Sequence, residues 1–253
     1  MATVPFTVDF TAPGALSSLT ATNTSLAFDP PGTGSTHSLI WTPVTTAPEN
    51  LIRIEVWSED AFEARKVAQF TDPAVTSLLY YFPRVGIPIT YKVFQIIRSG
   101  AATLIGLSAQ ATITATSKCL SLVSVVNPVA HRIALQAWSD FGETLQQNQE
   151  WGIPAGGQDY FEVGGSLRGT DINIAAELFN RTDGSGITAL DEKLALEALF
   201  KAIPPETVCL RHPRGGKWFG RFNGSWSFPY IYGGERYRAS GGFRKTSFVE
   251  GNL

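Results

Sequence analysis

Between Cys209 and Arg238 the sequence reads CLRHPRGGKWFGRFNGSWSFPYIYGGERYR, and this stretch gathers the groups most able to do chemistry. Arg211, Arg221 and Arg236 are interleaved with the rings of Trp218, Phe219, Trp226, Phe228 and Tyr230. A guanidinium pairs with carboxylate or phosphate through parallel hydrogen bonds and also stacks on an aromatic face. Such a stretch suits a nucleic-acid surface, part of an active site, or only a sheet with a decorated face, its arginine stems lying over aromatic rings. From Cys209 to Lys245 the cations Arg211, Arg214, Lys217, Arg221, Arg236, Arg238, Arg244 and Lys245 face Glu235 alone. The whole chain carries a net charge of −2, so the basic character is local. It gives no global pull toward DNA or an anionic membrane.

The nucleic-acid use fails on context. KWFGRFNGSW faintly echoes the RNP1 signature of RNA-recognition domains, but that signature works inside a βαββαβ frame, and a single helix precedes it here. DPPGTGST, residues 29–36, has the outline of a phosphate-binding loop. Ser35 stands where the lysine is required and no helix follows, so the segment reads as a turn. Catalysis has little material. His37, His131 and His212 are isolated from one another, without an HExxH, GxSxG or Cys-x-x-Cys motif. The neighbours Glu59/Asp60 and Asp159/Glu162 could form an acid/base pair for glycoside cleavage, and exposed charges flanking strands explain them equally well. No catalytic, cofactor-binding or metal-ligating residue is expected. Cys119 and Cys209 have no ligand-spaced partner, and a 253-residue chain does not need a disulfide to hold its core. MATVPFTVDF lacks a basic segment followed by an apolar one, and no run approaches a membrane span, so the chain reads as made and folded in a cytoplasm.

The elements that must position these residues fall into two groups. Apolar content of 43% with 17% charged residues supports a proper core. Over residues 14–117, HSLIWTPV, LIRIEVW, VTSLLYYF, ITYKVFQII and SAQATITATS read as short strands. DPPGTG, TTAPEN, RVGIP and RSGAA are the turns between them, so residues 1–117 are expected to form a β-sandwich. From residue 118 the pattern changes. CLSLVSVVNPVAHRIALQAW holds two apolar runs around Asn127-Pro128, and DYFEVGGSLRGTDINIAAELF alternates as two strands joined through Gly164-Gly165. TALDEKLALEALFKAIPP is expected as a helix over 188–203, opened by a Thr188/Asp191 capping box and stopped by Pro204-Pro205. Leu196, Leu199, Phe200 and Ile203 share one stripe, which would lie on a sheet. Asn223-Gly224 is a type I′ hairpin signal. That register puts Phe219, Arg221, Trp226 and Phe228 on one face, and Trp218, Gly220, Phe222 and Ser227 on the other. Aromatics on both faces call for cover on both. The fold class expected is mainly β: a sandwich followed, over 118–253, by an α+β split barrel with one flanking helix.

Two resemblances attach to these stretches. Trp41, Leu79, Pro83, Gly86 and Tyr91 occupy places comparable to those of a fibronectin type III or related Ig-like module. The order of hairpin, connecting TDGSG, helix, ETVCLRHPRGGKWFGRFNG and closing RYRASGGFRKTSFVE resembles the tube-type domain of long-tailed phage tail proteins. Leu210, Arg211, Pro213, Gly215, Trp218, Phe219 and Gly220 match a short motif of minor tail proteins. The likeness covers roughly residues 118–250. It implies a virion protein of the tail tip, synthesised and assembled in a bacterial cytoplasm, with an architectural role and no enzymatic one. Implied partners are further copies in a hexameric or trimeric ring, the tail tube, the tape measure and other tip proteins. DNA would be passing cargo, no membrane insertion is implied, and the sandwich would make weak contact with host glycans. Arg211, Trp218, Phe219, Arg221, Trp226, Phe228, Tyr230 and Arg236 are the expected subunit-interface residues. The competing expectation is a carbohydrate-binding or carbohydrate-cleaving protein that stacks sugars on exposed Trp and Tyr.

Overall fold

A computed structural model describes residues 18–25, 27–42, 51–99, 102–106, 108–152, 161–201, 206–231 and 236–246, with the side chains of 99, 139–152 and 161–170 left undescribed. The expected turn at 45–50, the Pro204-Pro205 stop, Ile203 and the Asp159/Glu162 pair fall outside these residues or side chains. The chain is mainly β. The N-terminal half contributes β1 (Leu19–Thr24), β2 (Thr36–Trp41), β3 (Leu51–Glu59), β4 (Ala64–Phe70), β5 (Ser77–Tyr80), β6 (Pro88–Ser99), β7 (Ala102–Ile105) and β8 (Ala109–Thr114). These form a three-stranded sheet ordered β1-β2-β5 and a five-stranded sheet ordered β4-β3-β6-β7, with β8 also on β6. Alternation sets the faces. Ile54 and Val56 on β3, and Ile89, Tyr91 and Val93 on β6, point inward to meet Leu39, Trp41 and Tyr80 from the smaller sheet. Arg53, Trp57, Lys92 and Phe94, at the alternate positions, are only partly covered.

The C-terminal half forms an eight-stranded sheet. Its strands are β9 (Leu120–Ser124), β10 (Arg132–Leu135), β11 (Ala137–Gly152), β12 (Phe161–Leu178), β13 (Val208–Arg211), β14 (Lys217–Ser227), β15 (Tyr230–Ile231) and β16 (Arg236–Lys245). The order is β10-β9-β13-β14-β16-β12-β11, with β15 on β16. β10 and β11 stand at opposite ends of that order yet only Gln136 separates them along the chain, so the sheet must curl to bring its ends together. The helix α1 (Ala189–Lys201) buries Leu196 and Leu199 in a second core with Leu122, Leu135, Ile174, Leu210 and Phe243. Its start is the expected capping box. Thr188 donates its amide and hydroxyl to Asp191 Oδ2 at 2.8 and 2.7 Å, and the Asp191 amide donates to Thr188 Oγ1 at 3.2 Å.

β9 and β13 are buried at every position, because each has a core on both faces. Leu120, Leu122, Val208 and Leu210 belong to the second core, while Val123 and Cys209 join the first, with Val125 and Phe219 beside them. The two halves therefore share a wall. Two turn readings are corrected. Gly164-Gly165 lies inside continuous β12, with Gly164 opposite Gln149. Asn223-Gly224 lies inside β14, which is hydrogen-bonded to β13 on one side and β16 on the other. There the pair makes a bulge, since register jumps between Asn223↔Gly242 and Ser227↔Ser240. Gly224, at φ 70, supplies the left-handed conformation that a bulge needs as much as a turn does. The reversal into β14 comes earlier, where the His212 amide donates to the Gly216 carbonyl at 2.8 Å.

Candidate subunit interface

The continuity of β14 through Asn223-Gly224 decides where the aromatic rings go. Positions 218, 222, 226 and 228 are an even number of residues apart on a chain that does not reverse, so plain alternation puts Trp226 and Phe228 with Trp218 and Phe222 over the second core, and they do not share a face with Phe219 as a hairpin would require. Phe200 at the end of α1 covers them: its ring centroid lies 4.0 Å from Phe222, 4.9 Å from Trp226 and 6.3 Å from Phe228. The Trp226 indole lies over Gly241, where any Cβ would meet ring carbons at 2.3 Å, and its Nε1 donates to the Gly242 carbonyl at 3.1 Å. Phe219 points the other way and packs edge-on to Phe82 in the first core, at 5.9 Å. The aromatics on both faces are thus covered largely by the chain itself. Of the expected interface residues, Arg221, Tyr230 and Arg236 are exposed, Tyr230 at 56%. Trp218, Phe219, Trp226 and Phe228 are half-buried. Arg211 is 1% exposed, held inside the molecule by the shared wall, and so does not reach a surface.

On the outer face of the curled sheet, Arg221 lies directly opposite Arg244, and Arg244 faces Asp171 on the next strand. Arg244 donates to both Asp171 oxygens, at 2.9 and 3.1 Å. Like charges opposite each other across a ladder are unfavourable, so the carboxylate offsets one of the two guanidiniums and Arg221 is left to face outward. Beyond Asp171, β12 loses its neighbour. β16 pairs with Asp171–Leu178 only, whereas β11 follows β12 down to Gly152↔Phe161. The result is a two-stranded arm with backbone edges unpaired among the described residues, the kind of edge onto which another chain can add a strand.

The seam between the halves is cationic, and sequence reading did not find it. Lys217 Nζ donates to the Tyr80 hydroxyl at 3.0 Å and lies between the rings of Tyr80 and Phe219. Arg84 pairs with Asp60 and Glu63 and donates to the Gly215 carbonyl at 3.1 Å. Arg181 pairs with Glu192 at 2.7 Å and donates to the carbonyls of Phe28 and Ala134 at 2.6 and 2.8 Å. Burial pushes the Glu192 carboxyl above its ordinary range, against the hydrogen bond and charge of Arg181. His37 Nδ1 meets the Tyr91 hydroxyl at 2.7 Å; burial above all, and then the Arg211 charge, pushes His37 down to about 4. These residues are scattered from 28 to 217, so no local pattern could have announced them.

Two further constellations bear on chemistry. Ser124, Glu206 and His131 lie together, but the carboxylate stands in the middle: Ser124 Oγ donates to Glu206, and His131 Nδ1 lies 3.2 Å from it. A nucleophile needs the imidazole next to the hydroxyl, and Ser124 Oγ instead accepts from the amides of Val126 and Asn127. Among the described residues no group of three or more His, Cys, Asp or Glu side chains could hold a metal ion. On the open face of the five-stranded sheet, Glu55, Trp57, Glu59, Ala64, Lys92, Phe94, Ile96 and Ile105 line a groove of about 280 Å³. Trp57 Nε1 donates to Glu55 Oε2 at 3.0 Å, which ties the indole back along the strand. Arg53 holds the other Glu55 oxygen at 2.7 Å. Burial pushes this carboxyl up, but the hydrogen bonds from Arg53 and Trp57 and the charges of Lys66 and Arg53 together hold it below its ordinary value. No protein-family model matches this chain, and no curated protein matches it.

Proposed function

We propose that this chain is a structural subunit of the tail tip of a long-tailed phage, a distal-tail or minor-tail component that assembles into a hexameric or trimeric ring around the DNA channel. One observation carries the reading: a curled sheet with a flanking helix ends in a long two-stranded arm whose edges no described strand covers. An isolated hairpin is marginal in water, so such an arm gains most from a neighbouring chain. Ring closure by one repeated contact is heterologous, joining different patches on successive copies. In this reading Arg221, Tyr230 and Arg236 are the exposed members of the seam. The half-buried Trp218, Phe219, Trp226 and Phe228 shape the strands behind them. The sheet orders β1-β2-β5 and β4-β3-β6-β8 suit a fibronectin type III-like arm beside a split barrel. Light scattering on the purified chain at tens of micromolar, with electron microscopy of the same sample, is expected to give a closed ring. A species that stays monomeric, alone and with tail proteins added, defeats the reading.

A second reading, carbohydrate binding, is favoured by the groove at Trp57. Its indole and the neighbouring Phe94 offer apolar faces, and the carboxylates of Glu55 and Glu59 on the lining can accept hydroxyl hydrogens. Titration with chitotetraose and cellotetraose is expected to show weak binding that Trp57→Ala abolishes. No heat and no chemical-shift change with either sugar removes it.

A further inference from the structure

The wall that joins the halves holds more positive charge than its neighbours neutralise. Ser121, Val123, Arg132, Ala134 and Arg211 present one face of β9, β10 and β13 toward the segment carrying Ala27, Asp29 and Ser35, and a small cavity lies between them. Arg211 is 1% exposed. Its guanidinium donates through Nη1 to the Ser35 carbonyl, while its Nε is buried with no protein partner. Arg132 donates through Nη1 to the Pro128 carbonyl at 3.4 Å, and its Nε is likewise buried and unpartnered. Ser121 Oγ, opposite Arg211 in the ladder, is a third such group. Asp29 is the one carboxylate on the lining, and its Oδ2 accepts the Ser35 hydroxyl at 2.6 Å.

Charge and size together select the guest. Among the described residues, two guanidiniums against one carboxylate leave a single excess positive charge, with the Arg211 guanidinium and the Nε of Arg132 out of reach of water. Buried charges are stable when paired, and an unpaired guanidinium is costly. A water molecule could accept from the donors but would not balance the charge. A dianion would overshoot it and would press harder on Asp29. The free volume, about 10 Å³, is the room of one water-sized guest, too little for sulfate or phosphate. We propose that this cavity binds one small monovalent anion of the halide class, which accepts from Arg211 Nε, Arg132 Nε and Ser121 Oγ. The anion bridges β9, β10 and β13, and through Arg211 and its Ser35 contact it fastens the two halves together.

The test uses the whole chain. Thermal unfolding is compared in sodium chloride, sodium bromide and sodium gluconate at matched ionic strength, and crystals grown in bromide are measured at the bromine edge. The expected result is a rise in Tm of a few degrees that saturates with chloride and bromide but not with gluconate, with an anomalous peak in this cavity. Arg132→Gln, at the more accessible wall, is expected to fold and to lose the halide response; Arg211→Met is the stricter variant. Equal Tm in the three salts overturns the proposal. So does density for a water without anomalous signal, or a halide response that Arg132→Gln leaves intact.

Discussion

At the scale of single residues, His37 links the first core to solution pH. It is completely buried, donates to or accepts from the Tyr91 hydroxyl, and stays neutral down to about 4 because burial and the Arg211 charge disfavour the imidazolium. An unfolded chain takes up that proton near the ordinary value of 6.5. Between these values the unfolded state binds more protons, so this contribution to stability is fully present above the ordinary value and is lost as pH falls toward about 4. At about 1.4 kcal/mol per unit, the whole effect is on the order of 3 kcal/mol. Urea midpoints are expected to decline across that window, and to decline less in His37→Gln. Equal slopes in the two proteins would show that His37 does not carry the effect. Arg181 and Glu192 form a related buried pair that also reaches two backbone carbonyls, which is why neither charge stands alone.

At the scale of elements, what could be read from the sequence depended on how local the cause was. The helix was legible because its start is set by residues three apart, Thr188 and Asp191, and its buried stripe by Leu196 and Leu199. β2, β3, β5, β6 and β8 were legible by alternation and by the turns between them, whereas β4 and β7 were not read as strands. Asn223-Gly224 misled because a turn signal states what the backbone can do, not what lies on either side. Because β16 stays bonded to β14 on both sides of the pair, at Asn223↔Gly242 and again at Ser227↔Ser240, a reversal there is excluded, and the left-handed glycine is spent on a bulge. Because the strand runs on, alternation keeps Trp226 and Phe228 in phase with Phe222 and so under Phe200. Gly164-Gly165 misled in the same way, since β11 continues alongside. Arg211 looked like a surface residue because arginine usually is one. Only the two-sided burial of β13 reveals otherwise.

At the scale of the whole molecule, the boundary drawn after residue 117 marks a change of pattern, yet the cores cross it. Val123, Val125, Cys209 and Phe219 complete the first core, and Lys217 and Arg211 bond to Tyr80 and Ser35. A fragment ending at residue 117 loses all of these and leaves apolar surface of Tyr80 and Phe82 uncovered. Compared with the full chain, it is expected to show a lower Tm and stronger binding of a hydrophobic dye. A fragment as stable as the full chain and silent toward the dye would show the halves to be independent.

The single residue between β10 and β11 has a mechanical meaning. It acts as a clasp, holding the ends of the sheet together as a hoop. A pull on the arm arrives at β11 and passes through Gln136 into β10, then sideways into β9, the wall that both cores share. The ladder bonds between those strands are then loaded side by side, in shear, so that the arm and the N-terminal half lie on one continuous load path.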